Sequence, residues 1–189
     1  MNHAPIIIFD GPDNVGKGTQ IKLLRKKLVD TPFNITNLDK PVGETLLAKQ
    51  EYGLENINNQ LQTMVAGSAL GIPQLADRGH YSEYAYSILR ITHSMKVIQM
   101  IEEQYLSSKD NILGIIFIDT VKNISDRDDG ESNYDKDDLE TIETIIQRFK
   151  ETKEHSHFPT YIIDIQGKDK DLVHKEVMQH ILNHFPQIS

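Results

Sequence analysis

Residues 9–20 read Phe-Asp-Gly-Pro-Asp-Asn-Val-Gly-Lys-Gly-Thr-Gln, and this stretch decides the fold. An all-apolar run at residues 6–9 leads into it, and Ile21 and Leu24 follow it on one face of a helical pattern. A strand, a glycine-rich loop and a helix in this order form a phosphate-binding loop. In such a loop, backbone N–H groups surround the phosphates and a lysine reaches the outer ones. We therefore expect Lys17 and the loop backbone to bind a nucleotide.

The loop departs from the usual pattern at Gly18. The residue after the lysine usually offers a serine or threonine hydroxyl to magnesium, whereas here the hydroxyl comes one place later, at Thr19. Magnesium prefers oxygen ligands and keeps much of its hydration, so carboxylates are natural substitutes. Asp10 and Asp77 are the candidates. The residues expected to contact the nucleotide cofactor are Gly11, Asn14, Val15, Gly16, Lys17, Gly18 and Thr19.

The composition limits the class of protein. The chain has 189 residues, no cysteine and a formal net charge of -8. This length suits one compact domain over residues 1–189, and the lack of cysteine excludes disulfides, thiolate zinc sites and thiol catalysis. The acidic balance argues against a large nucleic-acid footprint. Because the sequence shows neither a leader pattern nor a run of about 18 apolar residues, we expect a cytoplasmic protein without a membrane partner.

Five short apolar runs alternate with helical patterns. The runs are residues 6–9, 35–38, 72–76, 113–118 and 161–165. Their alternation predicts an α/β fold, a three-layer α/β/α sandwich in which a five-stranded parallel sheet carries helices on both faces. The last two helices are expected over residues 139–153 and 172–185. Ligands of such sheets bind beyond the carboxyl ends of the strands, where Asp10 and the pair Asp77-Arg78 lie.

Two further segments have a clear pattern. Apolar residues recur at three- and four-residue steps between residues 81 and 105, which predicts one long helix. Its apolar stripe exceeds what a small sheet usually covers, so this helix is a candidate surface for a homodimer. From residue 126 to residue 140, eight of fifteen residues are acidic, which predicts a solvated, mobile loop.

Residues 77–86 read Asp-Arg-Gly-His-Tyr-Ser-Glu-Tyr-Ala-Tyr and resemble the Asp-Arg-Tyr-x-x-Ser-x-x-Ala-Tyr segment of the thymidylate kinases. Residues 9–20 are similar to that family's Phe-Glu-Gly-x-Asp-Gly-x-Gly-Lys-Thr-Thr-Gln. Residues 41–45 and 161–166 carry looser similarities. The resemblance implies a P-loop nucleotide kinase that transfers a phosphoryl group from ATP, with magnesium, to a deoxynucleoside 5′-monophosphate such as dTMP.

The resemblance also implies roles for individual residues. Lys17 bridges the outer phosphates of the donor, and Arg78 holds the acceptor phosphate. Asp77 and Asp10 organise magnesium, and Asp13 orients the acceptor sugar. Transfer between phosphates needs charge neutralisation and in-line positioning, so cations carry most of the catalysis. The other candidates for substrate binding are Lys40, which is the cation nearest to the family's arginine before the residue 41–45 turn, and His80, Ser82 and Tyr86.

Kinases of this kind carry a lid over the donor, and the acidic stretch stands in that place. Residues of about 126–138 are therefore the expected lid. Arg127 heads this stretch and is the candidate lid arginine that closes on the transferred group. Two alternatives remain open: Arg127 is an exposed residue that only balances its acidic neighbours, or Arg148 on the following helix takes the role.

The identity of the acceptor stays open. The family carries a base-reading arginine ahead of its Asp-Arg segment, but no arginine lies between Lys27 and Arg78. This gap and the compact length would suit a streamlined enzyme of the kind that a virus encodes. An alternative activity is transfer to a hydroxyl of a deoxynucleoside or modified base, with Asp10 as general base. The third alternative is a nucleotide-binding module without turnover.

Overall fold

The computed structural model describes residues 3–28, 33–37, 46–89, 94–127, 132, 134–135 and 137–188, without the side chains of 46–52. Its strands are β1 (Ile6–Asp10), β2 (Asn34–Asn37), β3 (Gln74–Asp77), β4 (Ile112–Ile118) and β5 (Thr160–Asp164). They form one sheet in the order β2-β3-β1-β4-β5, and every neighbouring pair is parallel. The expected five-stranded parallel sheet is therefore confirmed, and each apolar run of the sequence overlaps one strand.

Helices connect the strands. They are α1 (Lys17–Lys27), α2 (Leu46–Ala69), α3 (His80–Ala85), α4 (Met95–Glu103), α5 (Val121–Asp126), α6 (Leu139–His155) and α7 (Lys170–His184). Short 3₁₀ segments at Tyr86–Leu89 and Leu106–Asn111 follow α3 and α4. The helices expected over residues 139–153 and 172–185 are confirmed as α6 and α7. Within the described ranges, no helix has the length and apolar content that a membrane span requires.

The central strand β1 explains why the fold has three layers. All five of its residues are buried. Ile7 and Phe9 pack in the cluster that contains the buried faces of α1, α6 and α7, whereas Ile6 and Ile8 pack with α2 and α4. Successive strand side chains point to opposite faces, so an uninterrupted apolar run is what helices on both sides require. The carboxyl end of β1 then holds Asp10 at the edge where the site forms.

The single helix expected over residues 81–105 is wrong. The chain instead forms α3, the 3₁₀ segment Tyr86–Leu89 and then α4, and residues 90–93 lie outside the described part. Tyr81 and Ala85 pack on one face of the sheet, whereas Ile98 and Ile101 pack on the other. The apolar residues between positions 81 and 105 therefore pack in two different layers of the same chain. The argument for a homodimer along one long helix disappears with that helix.

Candidate active site

The phosphate-binding loop joins β1 to α1 at the carboxyl edge of the sheet. Gly16 precedes α1 in a left-handed conformation (φ 82°), and no side chain caps the helix. The N–H groups of the first turn therefore face the loop, where the helix dipole favours an anion. Gly11 (φ 133°) passes so close to β4 that a Cβ atom would overlap the carbonyl oxygen of Phe117. Position 11 therefore requires glycine, because its φ is positive and because a side chain there would overlap β4.

Lys17 folds back over the loop. Its Nζ donates to the carbonyl oxygens of Gly11, at 2.9 Å, and Pro12, at 2.6 Å. Burial, together with the positive charge of Arg78, lowers the pKa of the Lys17 ammonium group to about 7. An anionic phosphate beside it stabilises the charged form. Lys17 therefore lies at the phosphate loop, and its contact with the outer phosphates of a nucleotide stays a prediction.

Asp10 is buried, and both of its oxygens accept hydrogen bonds from the protein. Oδ1 accepts from the N–H of Gly11 at 2.9 Å and from the Ser82 hydroxyl at 2.5 Å, and Oδ2 accepts from the N–H groups of Gly79 at 3.0 Å and Ser82 at 3.1 Å. Burial raises the pKa of Asp10, although the hydrogen bond from Ser82 and nearby cations oppose the rise. A carboxylate has about four acceptor directions, and four donors occupy them. All four directions are thus used inside the protein, and the expected contact of Asp10 with magnesium stays a prediction.

Arg78 has an unusual backbone conformation. It is a non-glycine residue with φ 71°, a left-handed value that L residues rarely adopt. Its N–H donates to the carbonyl oxygen of Phe9 at 2.9 Å, and its own carbonyl accepts from Nε2 of Gln60 at 3.0 Å. The next residue, Gly79, lies so near β1 that a Cβ atom would come within 2.5 Å of Cγ2 of Ile8. Strained backbone of this kind concentrates at functional sites.

The Arg78 side chain reaches back to the phosphate loop. Its guanidinium forms an ion pair with Asp13 and donates to the carbonyl of Gly11 and the hydroxyl of Ser82, each at 3.3 Å. The Cζ of Arg78 lies 5.4 Å from the centre of the Tyr86 ring, and the Tyr86 hydroxyl accepts from the N–H of Asp13 at 2.9 Å. Arg78 and Asp13, both expected at the acceptor, are thus brought together, and the buried residues Ser82 and Tyr86 support them.

A cavity of about 580 Å³ joins the phosphate loop to the end of β3. Its lining consists of Asn14, Gly16, Lys17, Gly18, Thr19, Lys22, Asp77, Arg78 and Arg127. Four of these side chains are basic and one, Asp77, is acidic, so the excess positive charge of the cleft favours anionic ligands. Lys22 lies on the exposed side of α1 and was not among the residues predicted from the sequence to line the site. The one feature of the sequence that pointed to it was its position one helical turn after Gly18.

A second cavity of about 210 Å³ adjoins the first. The two share Asn14, Gly16, Thr19 and Arg127. The smaller one adds the apolar side chains of Val15, Ile165 and Val173. The pair of cavities therefore offers a polar, cationic chamber next to an apolar one.

Asp77 is the carboxylate that lines the larger cavity. Among the residues that the structure describes, no three His, Asp or Glu side chains come together as a metal site. Magnesium in nucleotide sites usually takes one or two carboxylates and completes its shell with phosphate oxygens and water. Asp77 and the hydroxyl of Thr19 suit a magnesium ion that arrives with the nucleotide.

Arg127 follows α5 and lines both cavities. Its Nη2 lies 2.8 Å from Oδ2 of Asp119, and its Nη1 donates to the carbonyl oxygen of Asn14 at 3.5 Å. Oδ1 of Asp119 also accepts from the N–H of Thr120 and the amide of Asn123, both at 2.7 Å. The buried Asp119 was missed at the level of sequence, although an aspartate directly after the apolar strand β4 was a usable signal. It holds Arg127 at the cavities.

Arg148 points elsewhere. Its Nη1 donates to the carbonyl oxygen of Tyr84 at 3.1 Å and to the hydroxyl of Ser87 at 2.7 Å. Its guanidinium lies 5.2 Å from the centre of the Tyr84 ring. These contacts tie α6 to α3 and the 3₁₀ segment behind it. Of the two candidate lid arginines, Arg127 is the one at the cavities.

His80 lies inside the protein and not at the acceptor site. Its Nε2 is 2.7 Å from Oε1 of Glu102, which also accepts from the Ser156 hydroxyl at 2.7 Å. Neither the His80 nor the Glu102 side chain is exposed. The expectation that His80 contacts the acceptor is therefore wrong, because α3 turns this side chain towards α4.

The expected lid is described only in part. Lys40, residues 41–45 and residues 128–131, 133 and 136 lie outside the described residues. The Ser132 hydroxyl accepts from the amide of Asn14 at 3.1 Å. Tyr134 is buried, and its ring stacks on that of Tyr86 with centres 6.4 Å apart. These two residues of the acidic stretch contact the site, so the stretch is not wholly solvated.

Solved structures share this architecture. The chain superposes on thymidylate kinase from Candida albicans with a TM-score of 0.69 and 20% identity, covering 99% of this chain and 94% of that one. The fold is that of thymidylate kinase. A second match is the YorR protein of Bacillus subtilis in complex with phosphorylated GDP, with a TM-score of 0.66, 20% identity and coverage of 95% of this chain and 97% of that one. No family model and no curated protein matches the sequence.

The thymidylate kinase-like fold confirms the resemblance carried by residues 9–20 and 77–86. It also confirms the three-layer P-loop architecture predicted from the alternating strands and helices. Neither structure supports a viral origin for this chain.

Proposed function

We propose that this protein transfers a phosphoryl group from Mg-ATP to a deoxynucleoside 5′-monophosphate, dTMP or a related one, giving the diphosphate. The observation that carries the proposal is the cavity lined by Lys17 of the phosphate loop and by Asp77 and Arg78 at the end of β3. Phosphoryl transfer requires two phosphate-binding elements to hold the reacting groups in line. The thymidylate kinase fold supports the same assignment.

The donor half is the phosphate loop with its two adjoining cavities. The first-turn N–H groups of α1 and the Nζ of Lys17 bind the outer phosphates of ATP. The apolar walls at Ile165 and Val173 suit a nucleobase, and a volume of about 210 Å³ accommodates one ring system. Arg127 lines both cavities, so its side chain contacts both the base and the phosphates of ATP.

The acceptor half consists of Arg78 and Asp13. The guanidinium binds a phosphate by its fork of N–H groups, and the carboxylate accepts from a sugar hydroxyl. A deoxynucleoside 5′-monophosphate presents both groups. Its binding replaces the Arg78–Asp13 ion pair of the free protein with one partner for each. The candidates for reading the base are four polar residues of α2: Asn58, Asn59, Gln62 and Thr63.

The chemistry needs charge neutralisation more than proton removal. A phosphate acceptor is already ionised at neutral pH, so Lys17, Arg78 and Arg127 act by offsetting the charge of the transferred group. Magnesium, held by Asp77 together with phosphate oxygens and water, supplies further neutralisation. A hydroxyl acceptor would need a general base within hydrogen-bond reach. Asp10, the candidate base, is fully engaged by Gly11, Gly79 and Ser82, so the hydroxyl-kinase alternative loses its support.

A product assay tests the proposal. The protein is incubated with Mg-ATP and a panel of deoxynucleosides and their 5′-monophosphates, and products are identified by mass spectrometry. We expect diphosphates from monophosphates only. New monophosphates from nucleosides would favour the hydroxyl kinase, and no acceptor-dependent turnover would favour a nucleotide-binding module. Lys17→Met abolishes the expected activity, whereas Lys26→Met, at an exposed position of the same helix, leaves it intact.

A further inference from the structure

Left-handed backbone marks two non-glycine residues in the described part of the chain, Asn14 with φ 63° and Arg78 with φ 71°. Both line the larger cavity. In each case a distant side chain donates to the carbonyl oxygen of the strained residue, Arg127 to Asn14 and Gln60 to Arg78. A left-handed conformation is unfavourable for a residue with a Cβ atom and persists only when its surroundings hold it. Gln60 is one of the groups that hold Arg78.

Gln60 is a polar exception on an apolar face. Its neighbours on α2, Ile57, Leu61 and Met64, are buried among the residues packed beneath the sheet. Gln60 itself is 7% exposed. An apolar side chain would serve this packing at least as well, because burying an amide costs free energy unless its groups are bonded. Its presence therefore needs a reason beyond the packing of α2.

The Gln60 amide can take only one orientation. The carbonyl oxygen of Arg78 needs a donor, so Nε2 faces Arg78 and Oε1 points away. In that orientation Oε1 is buried, and no partner for it occurs among the described residues. The fold tolerates an unsatisfied acceptor, which is uncommon in native proteins, in order to place one N–H at the Arg78 peptide.

We propose that Gln60 is a positioning residue for phosphoryl transfer, which holds the Arg78 peptide in its left-handed conformation and so directs the guanidinium at the acceptor phosphate. This role presupposes the proposed function. The turn after β3 has three anchors: the N–H of Arg78 on Phe9, the N–H of Gly79 on Asp10, and the carbonyl of Arg78 on Gln60. Only the third comes from outside β1. Without it, the Arg78–Gly79 peptide is held by the Gly79 N–H alone and gains freedom to rotate about that hydrogen bond. That rotation would redirect the Cα–Cβ bond and move the guanidinium away from the phosphate.

Gln60→Met tests this role. Methionine keeps the length of the side chain, removes the donor and leaves no unpaired oxygen, so the variant is expected to fold with unchanged or higher thermal stability. We expect kcat to fall on the order of tenfold to a hundredfold, since displacement of a reacting group by about 1 Å has effects of this size. The affinity for a non-hydrolysable ATP analogue stays unchanged. Gln60→His, which retains an N–H donor, restores most of the turnover, and Glu55→Met, at an exposed position of the same helix, has no effect.

Two results would overturn the role in transfer. One is a Gln60→Met enzyme with the kcat and acceptor KM of the wild type. The other is a loss of ATP-analogue affinity as large as the loss of turnover, which would indicate general damage to the site.

Amide hydrogen exchange over residues 77–82 gives a readout that does not depend on activity. We expect faster exchange in Gln60→Met than in Glu55→Met, and equal exchange would overturn the proposed clamp. If the wild-type protein phosphorylates no monophosphate, the proposed function fails, and the exchange comparison still decides whether Gln60 holds the Arg78 peptide.

Discussion

The guanidinium of Arg78 and the carboxylate of Asp13 form an ion pair that links the end of β3 to the phosphate loop. The two side chains are only 22% and 15% exposed, so solvent screens the pair weakly. In the protein without nucleotide, the guanidinium and the carboxylate are paired with each other. Under the proposed function, entry of the acceptor is an exchange of partners at a site whose charged groups are already in place.

Asp13→Asn removes one side of this exchange. Without the carboxylate, Arg78 has no anion to give up, and we expect inorganic phosphate to bind more tightly by about fivefold, which corresponds to about 1 kcal/mol for a partly exposed pair. The KM for a deoxynucleoside monophosphate rises at the same time, because the sugar contact is lost. Isothermal titration with phosphate checks the first effect, with Asp171→Asn on the exposed start of α7 as control. Unchanged phosphate affinity would contradict the exchange.

Nucleotide binding should take up a proton near pH 8. The pKa of Lys17 is about 7 in the free protein because the ammonium group is buried beside Arg78, and bound phosphates raise it again. At pH 8 the free lysine is therefore mostly neutral, so binding of ATP takes up a substantial fraction of a proton, and this uptake falls as the pH is lowered below 7. The affinity is flat below pH 7 and decreases above it. Calorimetry in two buffers of different ionisation enthalpy measures the uptake, which Lys17→Met abolishes; zero uptake at pH 8 in the wild type would refute the assignment.

The same lowered pKa has a consequence for stability. The unfolded lysine titrates near its ordinary value of 10.5. Between pH 7 and about 10.5 the unfolded state binds more protons than the folded state, so the contribution of Lys17 to the free energy of unfolding rises with pH across that window. Lys17→Met should remove this slope, as urea unfolding at pH 7 and pH 9 would reveal. Equal slopes in variant and wild type would argue against a buried, neutralised lysine.

Gly79→Ala should destabilise the fold. The new methyl group would lie 2.5 Å from Cγ2 of Ile8 on the central strand β1, and overpacking of this kind costs about 1–3 kcal/mol. Gly18→Ala is the matched control, since a Cβ atom there meets nothing within 4 Å. The free energy of unfolding from urea titration separates the two variants. A Gly79→Ala protein as stable as Gly18→Ala would mean that the turn after β3 packs more loosely on Ile8 than this distance implies.

Magnesium dependence distinguishes the two strand-end aspartates. Asp77 lines the cavity, so Asp77→Asn should raise the magnesium concentration for half-maximal turnover severalfold. Asp10→Asn places an amide where four donors converge, which should cost about 1–3 kcal/mol of stability and lower turnover without moving the magnesium midpoint. Titration of magnesium at saturating ATP checks both variants. A shifted midpoint in Asp10→Asn alone would restore the metal role that the sequence suggested for Asp10.

Local signals were sufficient for the sheet, the phosphate loop and the place of Arg78. The strands are short apolar runs between helical patterns. Ligands lie at carboxyl strand ends, and this rule was enough to predict from the sequence that Asp77-Arg78 lies at the ligand-binding edge of the sheet. The side-chain directions of Asp10 and His80 were not predictable in this way. They depend on which neighbouring elements supply hydrogen-bond donors, and those elements are distant in sequence.

The break between α3 and α4 could not be predicted from the sequence for a different reason. Residues 81–105 contain neither glycine nor proline, and their apolar spacing satisfies one helix as well as two. What divides them is that Tyr81 and Ile98 pack on opposite faces of the sheet, a requirement of the three-layer core. Gln60 carried a weak local signal, as one amide on an otherwise apolar helical face, and its use became clear only beside Arg78.

The pairing of β1 with β3, in which Phe9 stands opposite Asp77, has a consequence for engineering. The phosphate loop and Arg78, which the proposed function assigns to the donor and the acceptor, follow adjacent strands, whose backbones are about 4.8 Å apart in any sheet. The separation of the two phosphate-binding elements is therefore built into backbone hydrogen bonding, which side-chain substitutions leave intact. Under the proposed function, Ile165 and Val173 of the smaller cavity are accordingly the positions to exchange in order to admit other nucleoside triphosphates while this separation is kept.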